Sequence, residues 1–142
     1  MSNRAAIERL RAKLATVSAT LVTRIKASIR DELERHVRAQ FAAGLDVDGK
    51  AWPERRRRSG GGIALQSLAS TVSVSLDGNE VAVRISHPKA IYHQGGWRLR
   101  SGKHTPARIM MPGRRRVGRE WLKAIRRGAD RALRAAAREG KP

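Results

Sequence analysis

The chain has no cysteine, which excludes disulfides and thiolate-held metals and fits assembly in a reducing compartment such as the cytoplasm. Aromatic residues are scarce, at 4%, so a core must rest on Leu, Ile, Val and Ala, the larger of which contribute about 1.5 to 3 kcal/mol each when buried. Long apolar runs are missing as well. The longest uncharged stretch, residues 59–76, is rich in Gly and Ser, so neither a membrane span nor a signal peptide is expected and the protein should be soluble. Acidic side chains are few: 12 Asp and Glu face 31 Lys and Arg, for a formal charge of +19. At 142 residues the chain is expected to form one domain, 1–142, with a modest core.

The charge is uneven. Residues 1–54 carry ten basic and seven acidic groups, whereas residues 84–142 carry 17 and three. Such a field attracts polyanions, nucleic acid being the commonest, and by itself carries no base-reading specificity.

From 4 to 43 neither Gly nor Pro interrupts the chain, and apolar residues recur at Ile7, Leu10, Leu14, Val17, Leu21, Ile25, Ile29, Leu33, Val37 and Phe41. This is helical periodicity, with Ser2 or Asn3 able to cap the start and Gly44 able to end it in a left-handed turn. Unbroken, the helix would be about 60 Å long, against roughly 35 to 40 Å for a compact globule of this size. It must either break, most naturally among the β-branched residues of 16–23, or reach another subunit. Ile25 to Phe41 read as intrachain core; residues 1–20 read as a protruding intersubunit segment.

Residues 45–62 read as a loop. Asp46, Asp48 and Gly49 invite a calcium-loop reading, but the other ligands are missing and Arg55 stands where the closing Glu belongs. Trp52 is expected to plug the core beneath this turn. Arg55, Arg56, Arg57 and Arg58 then form either a flexible cationic loop or a solvated crossover. Residues 63–113 form the sheet region: a helical turn over 63–69, then Val72, Val74 and Leu76 alternating with polar residues, a turn at 77–79, and Val81, Val83 and Ile85 alternating in the same way. This pattern predicts an antiparallel hairpin whose apolar face packs on the long helix. Residues 119–139 read as a C-terminal helix with Trp121, Leu122, Ile125, Ala129, Ala132, Leu133 and Ala136 inward and Arg127, Arg131, Arg134 and Arg138 largely elsewhere. Gly128 in its interior suggests close packing or a bend. The expected fold class is α+β: a long N-terminal helix and a C-terminal helix packed on a small antiparallel sheet.

Residues 86–113 mix proline, paired glycines, isolated aromatics and arginines as no regular element requires, and this suggests a surface made for a partner. Chemistry is not legible there. His87, His93 and His104 match no metal-binding spacing and no carboxylate lies among them. Gly102-Lys103 resembles the end of a phosphate-binding loop, but His104 replaces the Ser or Thr and Trp97 the first Gly. Hydroxyls have no nucleophile motif around them, and the acids gather at Asp31, Glu32 and Glu34 on the long helix. An enzyme is not expected, nor a cofactor or metal. Tyr92, His93 and Trp97 among arginines could stack on single strands, but the aromatics are few. The terminal helix would anchor poorly on a membrane because its inner face is mostly alanine.

Several segments together resemble the phage virion morphogenesis family of tail completion and tail terminator proteins. They are a long helix ending in Gln40-Phe41, a Gly-x-Asp-x-x-Gly-x-x-Trp-Pro turn over 44–53, and a hairpin. Ile91-Tyr92-His93-Gln94-Gly95-Gly96 follows, then Thr105-Pro106-Ala107-Arg108 before a terminal helix. The likeness covers residues 25–135. The chain departs at Gly95, where the family usually carries an aromatic, and at Ile109-Met110, where Pro-Phe commonly follows.

The resemblance implies a structural virion protein, made in the host cytoplasm. It would form a homo-oligomeric ring, expected to be a hexamer, at the neck or head-proximal end of the tail. Its partners would be the tail-tube protein and the head-connector or neck proteins, with double-stranded DNA passing non-specifically through a basic lumen. On that basis Arg55, Arg56, Arg57, Arg58, Arg98, Arg100 and Lys103 are lumen candidates. Ile7, Leu10, Leu14, Tyr92, His93, Trp97, Arg108, Met110 and Met111 are candidates for subunit or partner contact. The alternative is a small basic nucleic-acid-binding protein.

Overall fold

In a computed structural model, the structure describes residues 3–52, 66–78, 80–88, 90, 94, 96–98, 100–102, 104–105, 111–112 and 117–139, with backbone alone at 3–6, 10, 13, 14, 16, 66, 97, 104 and 105. The fold is α+β. Helix α1 spans Asn3–Ala42, a 310 helix Gln66–Thr71, and β1 (Val72–Asp77) pairs with β2 (Glu80–Ile85). A two-residue ladder joins β3 (Trp97–Arg98) to β4 (His104–Thr105), and α2 spans Arg119–Glu139.

Helix α1 runs 40 residues without a break, so the β-branched stretch 16–23 does not interrupt it. Thr23 turns its hydroxyl back onto the Ala19 carbonyl (3.0 Å), which satisfies the side chain inside the helix. The C-terminal end follows the expected chemistry. Gly44 takes φ 69°, its N–H donates to Phe41 O (3.1 Å), and Leu45 N–H donates to Gln40 O (3.0 Å), the paired bonds of a Schellman motif.

The following turn is held by Asp46. Asp46 Oδ1 accepts the N–H groups of Asp48 and Lys50, each at 2.8 Å, and Leu45 bridges Ala51 antiparallel. Trp52 lands beneath it, buried, with its ring 5.5 Å from that of Phe41. The hairpin pairs Val74 with Val83 and Leu76 with Val81, which puts the alternating apolar side chains on one face. That face lies along α1: Arg38 donates to Val72 O (3.0 Å) near one end and Lys26 to Gly78 O (3.3 Å) at the hairpin tip.

Helix α2 packs antiparallel on another side of α1, so Leu33, Val37, Phe41, Leu68, Val72 and Trp121 meet in one core. Its inner face follows the sequence expectation at Trp121, Ile125, Ala129, Ala132 and Ala136 and departs from it at two leucines. Trp121, Ala124, Gly128 and Ala132 are buried, whereas Leu122 and Leu133 are 40% and 47% exposed. A stripe wide enough to include both sets exceeds what one neighbouring helix can cover. Gly128 reflects close packing: a Cβ there would lie 2.7 Å from Ile29 Cα and 2.9 Å from Ser28 O.

Candidate functional site

The turn after α1 also starts α2. Asp48 Oδ1 accepts the Arg119 N–H (3.0 Å) and Val47 O accepts that of Glu120 (3.3 Å), so a carboxylate distant in sequence caps the positive end of the helix. Gly118 makes this possible, since a Cβ there would sit 2.3 Å from Val47 O. Behind the cap, buried Gln40 accepts from Trp121 Nε1 (2.8 Å) and donates to Leu45 O (3.3 Å). The orientation of α2 on α1 is thus fixed by hydrogen bonds as well as by packing.

Midway along the pair lies Glu32, a buried carboxylate on α1. Its Oε1 accepts from Arg127 Nε (2.9 Å) and its Oε2 from Arg131 Nη2 (2.8 Å), with Arg35 pairing to it as well. The sequence places Arg127 and Arg131 away from the inner face; in the structure both bend back to α1 while remaining about half exposed. At the far end Arg24 forms a bidentate pair with Glu139, both bonds at 2.6 Å. That contact raises the Arg24 pKa and lowers that of Glu139.

These contacts order one edge of α2. Lys123, Arg127, Arg131, Arg134 and Arg138 are spaced four, four, three and four residues apart, which confines them to about 80° of arc over about 22 Å. All five are exposed. Arg134 and Arg138 have no ion-pair partner among the described residues. Spacing alone carries the signal for this edge. Nothing in the sequence shows that Glu32 gathers two of its members.

Beyond the end of α2, α1 continues. The packing of α2 on α1 extends to a shallow hollow shared by Val17, Leu21 and Ala136, and the helix runs on to Asn3. On this arm Ile7 is 50% and Val17 64% exposed. The Leu10 and Leu14 side chains lie outside the described residues.

Within 86–113 the described residues include a short backbone ladder. Trp97 pairs with Thr105 and Arg98 with His104, and Gly96 and Gly102 take φ 76° and 78°. The Gln94 amide clamps the base of this flap, donating to Met111 O (2.8 Å) and accepting from Met111 N (3.0 Å). Arg98 and Arg100 are exposed on it. Met111, expected at an interface, is half-buried against the core. Trp97 is placed by its backbone in β3; Arg55 to Arg58, Tyr92, His93, Lys103, Arg108 and Met110 lie outside the described residues.

Among the described residues no three His, Asp or Glu side chains gather as a metal site, and no helix is long and apolar enough to cross a membrane. No protein-family model, no curated protein and no solved structure matches the chain.

Proposed function

We propose that this protein is a structural subunit of an oligomeric ring at the neck or head-proximal end of a phage tail, closing the tail tube and joining it to the head connector. The observation that carries the reading is the unbroken α1. Its 40 residues span about 60 Å, longer than a compact globule of this chain would be across, and its first turns extend past α2 with apolar Ile7 and Val17 exposed. An arm of this kind finds its packing on a neighbouring subunit, and successive head-to-tail contacts of one type close into a ring. The ordered motif likeness over residues 25–135 supplies the particular ring. DNA in the lumen, met through phosphates and not base edges, gives the +19 charge a use. Virion localisation follows from the same reading.

Sedimentation velocity over a wide concentration range, with electron microscopy of the protein alone and mixed with tail tubes, tests this. Multimers, and density at tube ends, are expected. A chain that stays monomeric and never marks tube ends or necks would overturn it. The basic edge of α2 favours a second reading, a small nucleic-acid-binding protein, which requires tight DNA or RNA binding by a monomer or dimer at physiological salt.

A further inference from the structure

We infer that the edge of α2 formed by Lys123, Arg127, Arg131, Arg134 and Arg138 is a docking surface for the phosphate backbone of double-stranded DNA. The inference deepens the DNA part of the proposed function and rests on it for the source of the DNA; it does not depend on the ring.

Geometry comes first. Five cations lie on one rigid helix along about 22 Å, longer than the major groove is wide, at about 12 Å. The row can therefore contact both backbones flanking a groove or follow one of them. Four of the five are arginines, whose planar forks match phosphate oxygens bidentately. Glu32 holds Arg127 and Arg131 from behind, so part of their rotamer freedom is already lost before any ligand arrives. The carboxylates in reach are Glu32, Glu120, which pairs with Lys123 (2.8 Å), and Asp130, which lines the same shallow hollow as Arg134 and Arg138. With Arg35 included, six cations face three acids, and the edge keeps a clear positive excess.

Chemistry then selects the partner. No member of the row is apolar or aromatic, which an interface core on a protein partner would need. The apolar side chains of α2 are elsewhere, buried against α1 or on the opposite flank at Leu122 and Leu133. A membrane-seated helix would instead turn its apolar face to the lipid. Cations that meet backbone phosphates position the duplex without carrying base information, so binding at this edge should be dominated by counterion release.

The test is fluorescence anisotropy of a labelled random-sequence duplex, titrated between about 50 and 200 mM salt. It compares the full chain, the triple variant Lys123→Gln/Arg134→Gln/Arg138→Gln, and the flap variant Arg98→Gln/Arg100→Gln. None of the three triple-variant positions bonds to Glu32, and thermal melting checks that the fold survives. The triple variant should bind about tenfold or more weakly at low salt. Its slope of log Kobs against log salt should be shallower by about 2 to 3, near 0.9 for each lost phosphate contact. An unchanged slope in a folded triple variant overturns the inference, as does loss confined to the flap variant. Binding of the full chain to anionic vesicles but not to the duplex would also overturn it. A monomer in sedimentation that still shows the slope change would sink the ring and leave the docking surface standing.

Discussion

Two side chains of the helix pair have consequences that can be measured one at a time. In an isolated helix, replacing Gly128 by Ala would stabilise by about 1 kcal/mol. Here the new methyl would meet backbone, 2.7 Å from Ile29 Cα and 2.9 Å from Ser28 O, and backbone cannot swing aside as a side chain can. Gly128→Ala is therefore expected to destabilise by about 1 to 3 kcal/mol as α1 and α2 are forced apart. The urea midpoint reads this, and an increase would mean that the helices are not in such close contact. His36 concerns pH. Its pKa is lowered from 6.5, first by burial and then by the Arg127 guanidinium, with Glu120 opposing. Arg127 Nη2 lies 3.5 Å from Nδ1, and Asp48 and Glu120 line the same hollow. A lowered folded value means that the unfolded chain binds the proton more readily. The stability this group contributes is then complete above pH 6.5 and lost as pH falls through the lowered value. The melting temperature should drop more steeply on acidification in the wild type than in His36→Leu; parallel curves would remove His36 from the account.

At the scale of elements, legibility in the sequence followed the range of the interaction. Local signals were readable: the periodicity of α1, Gly44 at its end, the alternation around the 77–79 turn, and Trp52 as a plug are all decided by near neighbours. Contacts between distant segments were not. That Asp48 caps α2 and that Glu32 takes Arg127 and Arg131 depends on how α1 and α2 cross, and no spacing encodes the crossing. Of the apolar pattern of α2, Trp121, Ile125, Ala129, Ala132 and Ala136 are buried or half-buried as the periodicity indicates, whereas Leu122 and Leu133 belong to a flank that α1 does not cover. The Glu32 contact can be tested with Glu32→Gln. The amide keeps the shape but turns an N–H toward arginine donors in a buried place, which should cost about 1 to 3 kcal/mol. The same change removes a negative charge from behind the basic edge, a gain expected to exceed the rotamer freedom returned to Arg127 and Arg131, so duplex binding should strengthen and its salt slope steepen by up to about 1. Loss of stability together with gain of DNA affinity is a combination that general unfolding would not produce.

For the whole molecule, the decisive contrast is between the part of α1 that the rest of the chain packs on and the part that extends past it. Among the described residues core burial on α1 begins at Leu33, the hairpin reaches back as far as Lys26, and a hollow shared with α2 lies at Val17. Among the described residues, deleting 1–15 removes no buried core side chain, and it should leave the melting temperature within a few degrees of the full chain, since surface changes away from core and caps are usually small. If the arm is what a neighbouring subunit grips, the shortened chain should lose its multimers in sedimentation while remaining folded by circular dichroism. The deletion also removes Arg4, Arg9, Arg11 and Lys13, so a second variant is needed to separate packing from charge. Ile7→Ser/Val17→Ser keeps every charge and changes two largely exposed side chains that an assembly would cover. Loss of assembly in both variants locates the contact in the apolar face of the arm. Loss in the deletion alone assigns it to the charges or to Leu10 and Leu14, and unfolding on deletion means that the arm belongs to its own subunit's core.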